Sequence, residues 1–289
     1  NMVYLKLQGI ETIEEAEKTE MVQKLSPLFD YFVNDAFGAA HRLHVSLVGW
    51  PTIAAGPIVA SELTMVNKLM NPEKPAVWLV GGAKADDKFK AVKYNLEIGV
   101  IDHALMCGLT AIMMLEAKGV DMGSENRKLI EEHLNTLKPQ ILEVLNKYGD
   151  KIHFPEDMAV EVDGQRKEVP VSELGKLNLS SGDIGSNTIE KYANIIKSAK
   201  TVVANGPPGI FEKENFKKGS FALVDAMVEA AEKNGAYAVI GGGEMGSVAK
   251  MSGKGNKIVV STGGGALLAI LSGKKLPLLE VLEKKPPKA

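Results

Sequence analysis

The sequence has almost no cysteine, since Cys107 is the single one among 289 residues. An internal disulfide and a zinc site built from several cysteines are therefore excluded, and a reducing compartment, the cytoplasm, is expected. The five histidines show no HExxH or comparable spacing, so a catalytic zinc is not expected either. Cys107 itself lies in an apolar run and is predicted to be a buried, unreactive thiol.

Long hydrophobic runs and an excess of one charge are also missing. The longest apolar stretch, residues 100–115, contains Asp102 and His103, so neither a membrane-spanning helix nor a signal peptide is predicted. The 34 Lys and Arg residues nearly balance 36 Asp and Glu residues, which provides no general attraction for nucleic acid or an anionic membrane. No nucleic-acid or membrane partner is expected, and any anion site must be built locally.

Short β-rich runs alternate with longer helical segments, which is typical of an α/β protein with a mostly parallel sheet. Apolar residues at helical spacing predict helices over 63–70 and 130–145. Further strands are predicted at 2–5, at 151–154, and in a hairpin whose strands are 158–162 and 166–171. The segment 276–289 is expected to end in a solvated lysine-rich tail.

Four short apolar runs each end in a glycine-rich turn that leads towards a helix. The turns are 81–84 after the run 76–80, 205–209 after 201–204, 241–244 after 236–240, and 261–265 after 257–260. If the runs are parallel strands, all four turns lie at the carboxyl edge of one sheet, where open α/β sheets bind ligands. Each turn alone could be no more than a tight connection. Four at one edge favour a polyphosphate ligand, because glycine lets backbone N–H groups approach phosphate closely.

The kind of phosphate site is narrowed by two patterns. No GxxxxGK[ST] run exists, which excludes the ordinary phosphate loop. Gly241, Gly243 and Gly246 match the GxGxxG pattern of dinucleotide sites, but the next strand ends in Ser261 and Thr262 rather than in an acidic residue for the ribose. A nicotinamide-dependent dehydrogenase therefore stays open as the alternative enzyme.

Two lysines follow the first double glycine at helical spacing. Lys84 and Lys88 are four residues apart, and on a helix that begins there they would share one face. Two cations at such a helix end suit a transferring phosphoryl group, although both could also be solvated surface lysines. No candidate general base stands out in the sequence. A phosphoryl transfer to a carboxylate or phosphate oxygen needs none.

The chain resembles phosphoglycerate kinase, and the resemblance covers nearly its whole length. It rests on five runs in that family's order: 31–37 with 40–42, 80–84, 205–207 with 209–212, 241–243, and 261–265. Ala204 and the turn 183–185 are more similar to archaeal than to bacterial members. The resemblance implies a Rossmann-like three-layer nucleotide lobe with a mostly parallel sheet and part of a second Rossmann-like lobe. The implied division is an amino-terminal remnant 1–55, a connecting helix 56–72, a nucleotide-binding lobe 73–271 and a tail 272–289.

The resemblance also implies a role for each matching residue. Lys84 would stabilise the moving phosphoryl group, and Arg42 would help to bind phosphoglycerate. A catalytic role is also implied for Gly242 and Gly264. His41, beside Arg42, is equally well explained by a structural role. Nucleotide contacts are implied for Gly82, Gly108 and Gly182 at the adenine, Glu212 at the ribose, Lys88 and Asn205 at the phosphates, and Gly241, Gly243, Glu244, Ser261, Thr262, Gly263 and Gly265 around them.

The implied activity is phosphoryl transfer between 1,3-bisphosphoglycerate and ADP in glycolysis and gluconeogenesis, with Mg²⁺ bound to ATP or ADP. Glu244 stands where most members have aspartate, so its contact with magnesium would run directly or through water. Gln8 to Ile10 replace the family's Asn-x-Arg-Phe run, and the chain is expected to lack most of the amino-terminal lobe. It is then expected to bind ADP without turnover, which leaves a nucleotide-binding module as a second alternative. A monomer or homodimer is expected.

Overall fold

The computed structural model describes residues 10–284, which fall into two compact units. Unit 1 consists of the residues up to Lys68 together with those from Thr262 onwards, and unit 2 is Leu69–Ser261. The strand predicted at 2–5 lies outside the described residues. The boundaries that the resemblance implies, after residues 55, 72 and 271, differ from these divisions and stay predictions.

The helices and strands alternate along most of the chain. In chain order the strands are β1 (Phe32–Asn34), β2 (Ile53–Ala55), β3 (Ala76–Val80), β4 (His103–Met106), β5 (Ile152–His153), β6 (Asp157–Val162), β7 (Gln165–Pro170), β8 (Ser181–Ile184), β9 (Thr201–Asn205), β10 (Tyr237–Gly241) and β11 (Val259–Ser261). The α-helices are α1 (Ile13–Glu17), α2 (Glu20–Leu25), α3 (Val45–Val48), α4 (Pro57–Met70), α5 (Ala85–Glu97), α6 (Gly108–Ala117), α7 (Ser124–Lys128), α8 (Glu131–Tyr148), α9 (Ser186–Lys197), α10 (Lys218–Asn234), α11 (Gly243–Met251), α12 (Gly264–Leu271) and α13 (Pro277–Lys284).

Unit 2 is built on a six-stranded parallel sheet, which confirms the predicted α/β class. The spatial order is β11-β10-β9-β3-β4-β5, and every neighbouring pair is parallel. The chain proceeds from β3 outward to β5 on one side and from β9 outward to β11 on the other. The strand order therefore reverses between β3 and β9, and both of these strands are buried along their whole length.

The helices around this sheet follow the apolar pattern of the sequence. In α8 the residues Leu137, Ile141 and Val144 are buried at helical spacing, as the pattern over 130–145 predicts. Helix α10 ends at Asn234 and is capped by Gly235, whose φ of +66° is the left-handed conformation that glycine adopts at a helix C-terminus. Helix α4 confirms the helix predicted over 63–70 and begins earlier, at Pro57.

A separate three-stranded antiparallel sheet in unit 2 has the order β7-β6-β8. The hairpin between β6 and β7 turns at Asp163 and Gly164, both with positive φ, as the Asp-Gly pair predicts. Strand β8 ends at Ile184 and leads into α9. This sheet matters for the site because β8 forms one wall of the cavity described below.

Unit 1 contains the parallel pair β1–β2 and the short helices that pack with it. The segment expected as a tail contains α13, in which Leu278 and Val281 are fully buried. Its backbone is tied to the same unit, since the Leu278 N–H donates to the carbonyl of Ala40 at 3.3 Å. Residues 277–284 are thus part of a folded unit, and the lysine-rich end beyond 284 lies outside the described residues.

Candidate functional site

The carboxyl ends of five parallel strands form one row in unit 2. Register pairs Met106 with Val80, Val80 with Asn205, Asn205 with Gly241, and Gly241 with Ser261. Neighbouring strands lie about 4.8 Å apart, so the turns after them are brought close together. This arrangement confirms that the glycine-rich turns of residues 81–84, 205–209 and 241–244 share one edge of one sheet.

The crevice at the reversal of strand order is closed by backbone contacts between two of these turns. The Gly81 N–H donates to the Asn205 carbonyl at 3.1 Å, and the Gly82 N–H donates to the Pro207 carbonyl at 2.7 Å. A Cβ on Gly81 would collide with the Pro207 carbonyl, and Gly82 has a φ of +76°. Glycine is therefore required here both by close approach and by backbone conformation.

A cavity of about 290 Å³ opens beside this crevice, near the lower end of the size range of small-ligand pockets. It brings together five predicted nucleotide-binding residues: Gly82, Gly108, Gly182, Glu212 and Glu244. Most of its remaining wall is apolar, with side chains of Leu109, Ile112, Leu129, Met158, Ile210 and Phe211. A flat apolar group with polar edges, such as a nucleobase, suits a slot of this composition.

The two lysines predicted to contact phosphate, Lys84 and Lys88, differ in their exposure at the start of helix α5. Lys84 is the N-cap residue and is exposed, whereas Lys88, one turn further, is only 5% exposed. The Lys88 Nζ donates to the Gly81 carbonyl in a short hydrogen bond and lies against Gly82 and Gly206. Burial lowers the pKa of Lys88 from 10.5 to about 8, while the Glu244 carboxylate acts in the opposite direction.

The α11 end of the site carries a carboxylate beside backbone N–H groups. Gly242 is the N-cap residue of α11 with a φ of +99°, and Glu244 lies in the first turn. Glu244 is exposed, and its Oε2 lies 3.3 Å from the position of a Cβ built on Gly82. Among residues 10–284, no group of three or more His, Cys, Asp or Glu side chains could hold a metal ion by itself.

Two further side chains of the site region are strongly buried. Asp183 on β8 lines the cavity, and burial raises the pKa of its carboxyl group against the effect of the Gly219 N–H and Arg166. Cys107, which precedes α6, is completely buried, and burial raises the pKa of its thiol well above the usual value. The unreactive thiol predicted at Cys107 fits this environment.

The remaining predicted residues belong to unit 1. The Thr262 N–H and hydroxyl both donate to the Glu62 carboxylate at 2.7 Å, and Gly263 packs against the Phe37 ring so closely that a Cβ would collide with it. Gly263 is the N-cap residue of α12, which begins at Gly264. A Cβ on Gly265 would lie 3.1 Å from the His41 ring.

Arg42 is exposed in the same unit, directly after His41. Its own N–H donates to the Ala39 carbonyl at 2.9 Å, which keeps this stretch in a tight turn. Arg42 and the turn 262–265 are therefore both parts of unit 1, whereas the lysines and the cavity belong to unit 2. The glycine turn after β11 thus differs from the other three, since the unit boundary falls after Ser261.

Sequence reasoning missed most of the apolar wall of the cavity. Leu129 and Met158 come from segments far from any glycine turn, and nothing in their local pattern distinguishes them from core residues. Ile210 and Phe211 could have been found, because they stand inside one of the quoted runs. Arg166, which pairs with Asp183, also lacked a local signal.

No helix among the described residues is long and apolar enough to cross a membrane.

The family model described as phosphoglycerate kinase matches residues 5–274. Two archaeal relatives named phosphoglycerate kinase are similar: that of Methanococcus maripaludis is 42% identical over 94% of this chain, and that of Methanothermus fervidus is 40% identical over 92%. The chain spans 66% and 65% of their lengths, slightly less than two thirds.

A solved structure resembles the whole fold. The crystal structure of phosphoglycerate kinase from Pyrococcus horikoshii OT3 matches with a TM-score of 0.87 and 35% sequence identity. The match covers 96% of this chain and 69% of that chain. Sequence and fold therefore lead to the same family.

Proposed function

Because the chain belongs to the phosphoglycerate kinase family, we propose that it transfers a phosphoryl group between 1,3-bisphosphoglycerate and ADP, giving 3-phosphoglycerate and ATP in glycolysis and gluconeogenesis. The observation that carries the proposal is the apolar cavity at the reversal of strand order, with Lys88 buried beside it. A parallel sheet binds its ligand at that point.

Unit 2 binds the nucleotide in this proposal. The base lies in the apolar cavity between Gly82, Gly108 and Gly182, and the Glu212 carboxylate accepts hydrogen bonds from the ribose hydroxyls. The phosphates lie along the row of strand ends, near Lys88 and Asn205. The backbone N–H groups of Gly241 and Gly243 and the end of β11 at Ser261 complete this edge.

The chemistry needs charge stabilisation rather than a general base. An oxygen of the ADP β-phosphate is already anionic, attacks the acyl phosphate, and the carboxylate of 3-phosphoglycerate leaves with the electrons of the broken P–O bond. Lys84, at the exposed start of α5, stabilises the transferring group. Backbone N–H groups at Gly242 and Gly264 serve the same purpose, because each lies at the start of a helix.

Unit 1 supplies the binding groups for phosphoglycerate in this proposal. The Arg42 guanidinium is exposed and presents a planar fork suited to a carboxylate or phosphate. Thr262, Gly263 and Gly265 also lie in unit 1, and the nucleotide contacts expected of them stay predictions. The Thr262 N–H and hydroxyl both donate to the Glu62 carboxylate.

Magnesium fits the donors of unit 2 only as an ion carried by the nucleotide. Mg²⁺ is typically held by one or two carboxylates together with substrate phosphates and water. Glu244 lines the cavity and is the one carboxylate assigned to the ion, so it would bind the metal directly or through water. When bound, magnesium would neutralise phosphate charge. Lys88 would contact the phosphates, and Glu244 would hold the ion.

The alternatives are less well supported. A nicotinamide-dependent dehydrogenase is not favoured, because the family is a kinase family and the strand after the GxGxxG pattern ends in Ser261. A nucleotide-binding module without activity stays as the second candidate, since the chain spans only about two thirds of its relatives. The proposal further places the chain in the cytoplasm, a reducing compartment consistent with its single, free cysteine. It also takes the chain to be a monomer or homodimer.

Calorimetry with MgADP and with NADH tests the nucleotide part of the proposal. MgADP should bind in the micromolar range, about −7 to −8 kcal/mol, with NADH much weaker. Tighter binding of NADH than of MgADP would contradict the kinase assignment.

A coupled assay with 1,3-bisphosphoglycerate then separates a kinase from a binding module. Turnover that depends on Lys84 supports the enzyme. Binding of MgADP without any turnover supports the module instead. A Lys90→Ala variant is the matched control for lysine substitutions, because Lys90 is exposed on the same helix and pairs with the nearby Asp86.

A further inference from the structure

Arg166 on β7 is almost buried and uses its whole guanidinium group in hydrogen bonds. Its side chain is 15% exposed. Nη1 donates to Asp183 Oδ2 and to the Asn215 carbonyl, both at 2.9 Å, and Nη2 donates to the Ile184 carbonyl at 2.7 Å. Nε donates to Glu168 at 3.0 Å. One planar fork thus joins β7 to two other segments.

Both segments belong to parts of the chain that line the nucleotide cavity. Strand β8 lines it directly, and Asn215 follows residues 207–212, which line it as well. The Ile210 N–H donates to the Gly182 carbonyl at 2.8 Å, and Arg166 holds the Asn215 carbonyl further along. The loop that carries Glu212 is therefore fixed on both sides of that residue. In the described part of the chain, no hydrogen bond or ion pair holds the Glu212 carboxylate itself.

Asp183 on β8 lies against Gly209 of the loop and depends on Arg166 for its charge balance. It is 3% exposed, and Oδ2 also accepts from the Gly219 N–H at 2.8 Å. Oδ1 is buried and has no hydrogen-bond partner among the described residues. A Cβ on Gly209 or on Gly219 would collide with this carboxylate. The loop and the start of α10 therefore rest directly on Asp183.

We propose that Arg166 is a positioning residue that, through Asp183 and Asn215, holds Glu212 where it can bind the ribose and so makes the site select ribonucleotides over 2′-deoxyribonucleotides. This inference rests on the proposed function, in which unit 2 binds ADP. Lysine cannot replace the arginine, because one ammonium group with three donors cannot reach all four carbonyl and carboxylate acceptors, which lie around the plane of the guanidinium group.

Arg166→Lys tests the inference, since it keeps a positive charge beside Asp183. Calorimetry compares MgADP, Mg-2′-deoxy-ADP and inorganic pyrophosphate on the wild type and on the variant. The wild type is expected to bind ADP about tenfold more tightly than 2′-deoxy-ADP, the size of one charged hydrogen bond. The variant is expected to reduce that ratio to about twofold or less. Pyrophosphate binding should stay within about twofold, because Lys88 is not held by Arg166.

Two control variants make the outcome specific. Arg127→Lys changes an exposed arginine that bonds Glu116 and Asp121, and it should keep the wild-type ratio. Glu212→Gln should reduce the preference for ADP over 2′-deoxy-ADP as Arg166→Lys does. Combining both substitutions should cause no further reduction of this preference. A retained tenfold ratio in Arg166→Lys would overturn the inference.

A fallback variant covers a loss of folding in Arg166→Lys. Arg166→Met combined with Asp183→Asn removes both members of the buried pair, and Lys218, 3.4 Å from Glu168, still balances the other carboxylate that Arg166 contacts. It should show the same loss of discrimination, and a retained ratio in this folded variant would also overturn the inference. Failure of the wild type to bind MgADP would instead refute the proposed function. Binding of MgADP with no hydroxyl preference in the wild type would leave the nucleotide site intact and refute the role of Glu212 and Arg166.

Discussion

Replacing Lys88 by methionine should stabilise the protein and weaken its binding of ADP. Burial lowers the pKa of Lys88 from 10.5 to about 8. One pKa unit corresponds to about 1.4 kcal/mol, so the charged lysine reduces the folding free energy by roughly 3 kcal/mol at neutral pH. Methionine keeps an unbranched chain but loses the hydrogen bond of the charged ammonium group to Gly81, worth about 2 kcal/mol. The free energy of unfolding at pH 7 should therefore rise by roughly 1 kcal/mol.

The pH dependence of this effect has a definite sign. Between pH 8 and pH 10.5 the unfolded chain keeps the proton on this lysine while the folded chain has released it. Stability of the wild type therefore rises with pH across that window, and the full cost of the buried charge is present below pH 8. The Lys88→Met variant lacks this rise, so its advantage over the wild type should shrink from pH 7 to pH 10.

Urea denaturation followed by fluorescence of Trp78, on β3 of the same unit, measures both effects. Lys90→Met on the same helix is the control, since Lys90 is exposed and its substitution should change stability by less than about 0.5 kcal/mol. ADP affinity of Lys88→Met should fall at least about tenfold, as a charged hydrogen bond is lost. A variant less stable than the wild type at pH 7, or a difference independent of pH, would refute the reasoning.

Four more outcomes are expected. Lys84→Ala, in a chain with measurable turnover, should lower kcat by about two to four powers of ten with little change in ADP affinity. Gly182→Ala should lower stability by about 1 to 3 kcal/mol and weaken ADP binding in calorimetry, because the added Cβ would collide with the Phe216 ring beside the cavity. Leu278→Ala should destabilise unit 1 by about 2 to 5 kcal/mol in urea denaturation, since its side chain is fully buried. The pKa of Glu168 is lowered from 4.5 to about 2, so its contribution to stability is present above pH 4.5 and is lost as the pH falls through about 2. In Glu168→Gln, the free energy of unfolding measured by urea denaturation should therefore fall less steeply between pH 4.5 and pH 2 than in the wild type.

The strands and the turns after them could be predicted from local pattern, because each depends on neighbouring residues. Apolar runs of about five residues ending in glycine predict buried parallel strands, and β3, β9 and β10 confirm them. The Asp-Gly pair at 163–164 predicts its hairpin for the same reason, since positive φ is a property of those residues. The short strand β11 confirms the fourth run, although its Val259 and Val260 are exposed.

Position relative to a glycine pair did not reveal which lysine is buried. Lys84 and Lys88 have the same residue type and adjoining places on one helix, yet Lys84 is exposed and Lys88 is enclosed by Gly81, Gly82 and Gly206. The difference arises because residues 205–209 lie against the Lys88 ammonium group. These residues are more than a hundred positions away from Lys88 in the chain. The lowered pKa of Lys88 follows from that enclosure.

The sequence by itself determined the α/β class, the glycine-rich sheet edge and the family, because these depend on residue type and order along the chain. Tertiary structure alone decided the apolar wall of the cavity and the Arg166–Asp183 pair, since β7, β8 and residues 207–216 meet only when the three-stranded sheet packs with the rest of unit 2. It also decided that the turn 262–265 and helix α13 belong to unit 1. The reason is physical: burial and charge pairing are properties of neighbours in space, and a local pattern carries no information about which distant segment those neighbours come from.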